Sequence, residues 1–208
     1  RDLMANTLPH LAVTLPDEGK PFELRNLFAH DPKEVWLEIG FGGGEHIAAR
    51  AAQNPDVGLI GAEPFMNGVA SLVYKISEEN IQNIRIYPDD VRLLLEKIPQ
   101  GALSRIFILF PDPWPKARHH KRRIIQQNII PVLSKCLKAD GVLTIATDHA
   151  DYREWILEIM DDQSYFVEAL GDRKDAFEQP EDWVQTRYQT KAIREGRKST
   201  FMIYENKR

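Results

Sequence analysis

The sequence is short of several things, and each shortage excludes something. It has one cysteine, Cys136, so no disulfide can form within the chain. A reducing compartment, the cytoplasm, is therefore the expected location. No apolar run approaches the ~18 residues that a membrane span needs, and no secretory pattern opens the chain, so no membrane partner is expected. Positive charge is in deficit too: 27 Lys and Arg face 31 Asp and Glu, a formal net charge of −4. No global positive field advertises nucleic acid, so any such partner must be held by local clusters. No internal repeat, low-complexity tract or interdomain linker is present. What remains is 208 residues, 43% hydrophobic and 28% charged. That is the make-up of one globular domain with a substantial core.

The chain is organised around VWLEIGFGGGE, residues 35–45. An apolar run of strand type carries Glu38 near its end. A glycine cluster follows at Gly40, Gly42, Gly43 and Gly44, and a helical pattern opens at Glu45. A glycine turn between strand and helix lets backbone approach a ligand, because no side chain stands in the way. The dinucleotide fingerprint requires Gly or Ala where this chain has Glu45. A pyrophosphate would also be repelled by Glu38 and Glu45, whereas the sulfonium and ammonium of S-adenosylmethionine suit acids beside the turn.

Hydrophobic periodicity sets out the rest. Residues 1–21 lack a clear period and are expected as an extended lead-in, followed by a short helix at 22–29. Strands are expected at 35–39, 57–62, 84–87, 105–109, 142–146, 165–170 and 199–204. Helices are expected at 45–53, 64–77, from Asp89 or Asp90 to 97, at 122–137 with a break near Pro131, at 151–160 and at 186–195. Three prolines within five residues make 111–116 a stiff loop. Asp140-Gly141 is a turn, and 171–182 is a long polar surface loop. Strands alternating with helices give a single α/β domain over 35–208, with a mostly parallel sheet covered on both faces and 1–34 as the lead-in.

Ligands of such sheets sit at the carboxyl ends of the strands. Glu38, Glu63, Asp90, Asp112 and Asp148 each end or closely follow a strand, so all five are expected at one rim. Glu63 is placed to accept both hydroxyls of a ribose, although beside Pro64 it reads equally as a helix-start acid. Asp90 reads as an acceptor for an adenine amino group or as a helix cap. In Phe110-Pro111-Asp112-Pro113-Trp114 the prolines hold Asp112 at low ordering cost, fit for the N–H edge of a guanine or for charge developing on a base. A basic run follows at once: Lys116, Arg118, His119, His120, Lys121, Arg122 and Arg123. A second group, Arg187, Lys191, Arg194, Arg197 and Lys198, puts its first three members on one helix face. Lying beside the candidate site, Arg118, Lys121, Arg122 and Arg123 are candidate contacts for RNA phosphates. His119, His120 and Cys136 do not make a metal set, so no metal is expected.

These residues resemble the tRNA (guanine-N7)-methyltransferases of bacteria, a Rossmann-like branch of the S-adenosylmethionine-dependent class. The most specific block is FPDPWPKARHHKRR, residues 110–123; LEIGFGGGE and the late Thr186-Arg187-Tyr188-Gln189 agree in order and approximate spacing. The resemblance implies that Glu38, Glu63 and Asp90, with the turn glycines Gly40 and Gly42, contact S-adenosylmethionine. It implies that Asp112 also contacts the cofactor and is catalytic, between cofactor and base. Lys116, Asp148, Thr186, Arg187, Tyr188 and Gln189 would engage tRNA, whose variable-loop guanosine at position 46 would be the acceptor. The family usually has Glu where this chain has Gln189, and an amide brings no negative charge. The expected assembly is a monomer or a homodimer. Three alternatives stay open: a methyltransferase of an exocyclic base amine, a nicotinamide-dependent dehydrogenase, and a non-catalytic tRNA-binding protein.

Overall fold

The computed structural model describes residues 2–169, 179–180 and 183–208. Among them seven strands form one sheet in the order β3-β2-β1-β4-β5-β7-β6. β1 (Glu34–Ile39), β2 (Val57–Ala62), β3 (Ile84–Tyr87), β4 (Leu103–Leu109) and β5 (Leu137–Thr147) run parallel, while β7 (Thr200–Asn206) pairs antiparallel with both β5 and β6 (Phe166–Glu168). The central strands are buried on both faces, which is why they read as unbroken apolar runs.

Each face carries its own core. On one, Trp36 and Phe107 of the sheet meet Ile47, Val69, Leu72 and Val73 of α2 (Glu45–Gln53) and α3 (Met66–Glu78). On the other, Leu37, Ile106 and Ile145 meet α4 (Val91–Lys97), α5 (Ile130–Cys136) and α6 (Ala150–Asp161) through Leu94, Leu133 and Ile156. Cys136 lies in this second core, and burial pushes its thiol up to about 11.

Several expectations need correction. The lead-in is not extended: Asp2–Leu11 is a helix, α1, packed on α3 and β3. Met4, Leu8 and Leu11 fall at i, i+4 and i+7 and turn one face inward. Beyond it the Val13 amide donates to the Ile86 carbonyl at 2.8 Å, adding a rung beside β3. The long helix expected at 122–137 is instead a 3₁₀ segment, Ala117–Arg122, and the short α5, in which Pro131 stands near the start rather than at a break. Asp140-Gly141 is a bulge inside β5, where pairing with β4 shifts register and Asp140 takes φ +58°. The sixth strand is shorter than expected, and the loop expected at 171–182 lies outside the described residues apart from 179–180. The short helix expected at 22–29 is a 3₁₀ turn, Leu24–Leu27.

Candidate active site

Because β1 lies between β2 and β4, the connections leaving β1 and β4 diverge to opposite faces and open a crevice at the carboxyl rim. A cavity of about 350 Å³ occupies it, large enough for a nucleoside-sized ligand. Gly40, Gly42, Glu63 and Asp90 line it from the β1–β3 part of the chain; Asp112, Trp114, Arg122 and Tyr188 line it from the part that follows β4.

The first side is built on the turn after β1. Gly40, Gly42 and Gly44 all have positive φ, at 71°, 54° and 78°, a region closed to most side chains. An added Cβ on Gly40 would meet nothing within 4 Å, so this backbone borders open space. The turn is held from α3 and the segment that leads into it. The Glu63 carboxylate accepts from Gly42 N at 3.0 Å and from Phe65 N at 3.0 Å, and Ser71 Oγ donates to Gly43 O at 2.9 Å. Gly68 permits this approach, since a Cβ there would sit 2.4 Å from Gly42 O. Nothing in the local pattern of α3 announced Gly68; only the packing shows its purpose. A carboxylate has about four lone-pair sites, so Glu63 retains acceptors for a diol. Asp90 caps α4 by accepting from Arg92 N at 3.0 Å, and it also meets the Arg92 guanidinium. Glu38 is not at the cavity. It is buried, with Oε2 2.7 Å from His46 Nδ1, because its position in β1 points it toward α2.

The second side begins where β4 ends. Phe110 and Trp114, two bulky residues, bracket Asp112 with φ of 50° and 43°. Backbone in this region is costly for such residues and persists only when neighbours enforce it. Asp112 is exposed and faces the cavity. Arg123 is the main brace. It is fully buried; Nε donates to Pro113 O at 2.8 Å, and Nη2 pairs with Asp151 of α6. Its guanidinium lies 4.8 Å from the Tyr152 ring and 5.1 Å from the Trp155 ring. The phosphate role expected for Arg123 is therefore wrong, as its charge is sealed inside the protein. Arg122 stacks over Trp114 at 4.8 Å and lines the cavity. Lys116, Arg118 and Lys121 stand exposed on or beside the 3₁₀ segment, outside the cavity.

Helix α7 (Arg187–Arg194) closes the rim. Thr186 caps it, its hydroxyl accepting from Gln189 N at 3.2 Å. Arg187 Nε lies 2.6 Å from Glu45 Oε1, and Tyr188 is set against Gly42. Just beyond the helix, Arg197 Nε donates to Asp148 Oδ2 at 2.7 Å, so Asp148, at the end of β5, already has a partner. Gln189 departs from expectation. It is buried, accepting from Trp183 Nε1 at 2.6 Å and donating to Gln179 at 3.0 Å, because its place on α7 turns it away from the cavity. The missing negative charge at Gln189 is thus not missing from the cavity.

Among the described residues no group of three or more His, Cys, Asp or Glu side chains could hold a metal, and no helix is long and apolar enough to cross a membrane. A family model described as "Putative methyltransferase" matches residues 32–202. The tRNA (guanine-N(7)-)-methyltransferase of Paramagnetospirillum magneticum is 43% identical over 206 residues, covering 99% of this chain and 86% of that one. The protein of the same name from Caulobacter vibrioides is 45% identical over 193 residues, covering 92% of this chain and 82% of that one. Among solved structures, an antibiotic-related methyltransferase aligns with 93% of this chain and 100% of its own, at a TM-score of 0.59 and 14% identity. That last likeness concerns the fold alone, which is Rossmann-like. With such identity held over most of both sequences, the chain belongs to the tRNA (guanine-N(7)-)-methyltransferase family.

Proposed function

We propose that the protein transfers the methyl group of S-adenosylmethionine to N7 of a guanosine in tRNA, the acceptor being position 46 of the variable loop. The carrying observation is Asp112, held by a proline-bracketed loop in the lining of the same cavity as the glycine turn and Glu63. The cavity suits this cofactor: bare backbone at Gly40, a carboxylate with acceptors to spare at Glu63 for the ribose, and Asp90 in the same lining for the adenine. When bound, S-adenosylmethionine supplies a methyl on a cationic sulfur, which leaves as a neutral thioether.

N7 of guanine already presents an in-plane lone pair, so no base is needed. The residues' task is alignment, which can lower a barrier by up to ~7–11 kcal/mol in favourable cases. The new N–CH₃ bond leaves the ring positively charged. Asp112 would stabilise that charge in place, without reorganising at the moment of reaction; Asp148, paired with Arg197 and outside the cavity lining, would act from further away. Tyr188 at the rim offers a flat face to the extruded base. Lys116, Arg118 and Lys121, with Arg187, Lys191 and Arg194 along α7, would position the RNA by its phosphates. The enzyme is read as cytoplasmic, a monomer or homodimer, with residues 35–208 as the methyltransferase unit and 1–34 as its lead-in.

The test is labelled-methyl transfer onto unmodified tRNA, followed by digestion to nucleosides and mass spectrometry. The expected product is 7-methylguanosine at one site. A label on an exocyclic amine, or tRNA binding without any transfer, would defeat the reading.

A further inference from the structure

Arg123 poses a question that folding alone does not answer. A guanidinium out of water is expensive, and replacing a buried ion pair by apolar groups of similar volume is often neutral or stabilising. Here the guanidinium is buried while its partner Asp151 is exposed, and Arg123 Nη1 has no acceptor among the described residues. Such a residue persists when it does something other than stabilise.

Its contacts say what. No hydrogen bond or ion pair from a described residue holds the Asp112 carboxylate, so its aim depends on the loop backbone alone. That backbone is strained on both sides, at Phe110 and Trp114. Among the described residues, the side-chain donor that reaches the carbonyl next to Asp112 is Arg123 Nε, at 2.8 Å from Pro113 O. Arg123 in turn is gripped by the first turns of α6, through Asp151, Tyr152 and Trp155. The same helix fixes the following segment: Ile125 N donates to Tyr152 Oη at 3.2 Å, and Trp155 Nε1 donates to Ile125 O at 2.8 Å. Burial, the main cause, pushes the Tyr152 hydroxyl up to about 12, so this brace stays neutral across the working range. Helix α6 also begins two residues after Asp148.

We propose that Arg123 is a positioning residue for the reaction, transmitting the placement of α6 to Asp112 so that Asp112 and Asp148 are held in register by one helix. The proposal rests on the assignment of Asp112 to the catalytic centre. Lysine would not serve, since the task needs one fork to reach a carbonyl and a carboxylate while packing against the Tyr152 and Trp155 rings.

The experiment compares Asp112→Ala, Arg123→Met, Arg123→Lys, Asp151→Asn and the double variant Asp112→Ala/Arg123→Met. Each is measured in single-turnover methyl transfer and for binding of S-adenosylmethionine and of tRNA. Arg123→Met is expected to slow transfer about 100-fold, the usual effect of a misplacement near 1 Å, with both affinities within about 3-fold of wild type. Arg123→Lys should rescue little, and Asp151→Asn should slow transfer about 10-fold, since it loosens the brace without removing it. Added to Asp112→Ala, the Arg123→Met change should cost less than about 3-fold more, because its effect passes through a carboxylate already gone. Multiplicative losses in the double variant, or a folded Arg123→Met that transfers at the wild-type rate, would overturn the proposal. Should Arg123→Met not fold, Asp151→Asn decides in the same way, since Asp151 is largely exposed. A wild-type rate in Asp112→Ala would instead defeat the proposed function itself.

Discussion

The two sides of the cavity are joined by different kinds of bond. On the side of β1, β2 and β3, backbone amides meet a buried carboxylate and α3 presses directly on the glycine turn. The bonds are direct and partly shielded from water. On the side of β4, β5 and α7 the ties are ion pairs: Arg187 with Glu45, Arg197 with Asp148 and Arg123 with Asp151. Of these, Arg187 is exposed, and surface pairs are weak, worth roughly 0–1 kcal/mol, and yield to salt or to a competing anion. The contrast teaches a division of labour. A small ligand of fixed shape meets a rigid, preformed wall. A large polyanion meets charges that can exchange their partners for phosphates.

Predictions follow from breaking one side while sparing the other. The largest effect is expected from Asp112→Ala, which should lower methyl transfer by about 10²–10³, the range for losing one charge-stabilising group, while calorimetry finds S-adenosylmethionine bound nearly as before. Gly68→Ala should act on the other side. With only 2.4 Å to Gly42 O, α3 must shift, at about 1–3 kcal/mol of stability, and cofactor affinity should drop with tRNA binding unchanged. Glu63→Gln preserves shape but loses a charged acceptor; at roughly 1.5–3 kcal/mol per such bond, the dissociation constant for the cofactor should rise about tenfold or more. Arg187→Ala should weaken tRNA binding a few-fold and flatten its salt dependence by about one unit of slope, leaving the cofactor's affinity indifferent to salt. If salt weakened both ligands equally, the division drawn here would be wrong.

The smallest effect concerns acid. The Arg123 guanidinium, through its hydrogen bond, holds the Asp151 carboxyl below the usual range. A carboxyl depressed on folding contributes stability that is complete above the unfolded value, about 3.9, and is lost as pH falls through the folded one. Asp151 is mostly exposed, so the contribution is small. Melting temperatures of the wild type and Asp151→Asn should differ at neutral pH and converge at low pH. A constant gap would refute it.

Legibility differed from one stretch to another. The parallel strands were plain because strands buried on both faces are apolar throughout. Helix α2 was plain because glycine opens it and Asn54-Pro55 closes it. Helix α1 was obscured by Pro9, although Met4, Leu8 and Leu11 keep a helical spacing. In the basic run, Arg122 and Arg123 are adjacent and chemically identical, yet one stacks at the cavity and the other lies in the core. Glu38 and Gln189 belong to recognisable motifs, but each spends its polar atoms on an internal partner, His46 and Trp183.

What this sequence determines by itself is the set of local events: alternation of strand and helix, a glycine turn after β1, a stiff Pro-Asp-Pro loop after β4, and hence a rim where acids gather. These depend on residue chemistry within a few positions of one another. Only the tertiary structure decided which charges meet the ligand and which meet each other. Burial and partnership come from elements far apart in the chain, as when α6 closes over Arg123, and no short window of sequence contains both halves of such a pair.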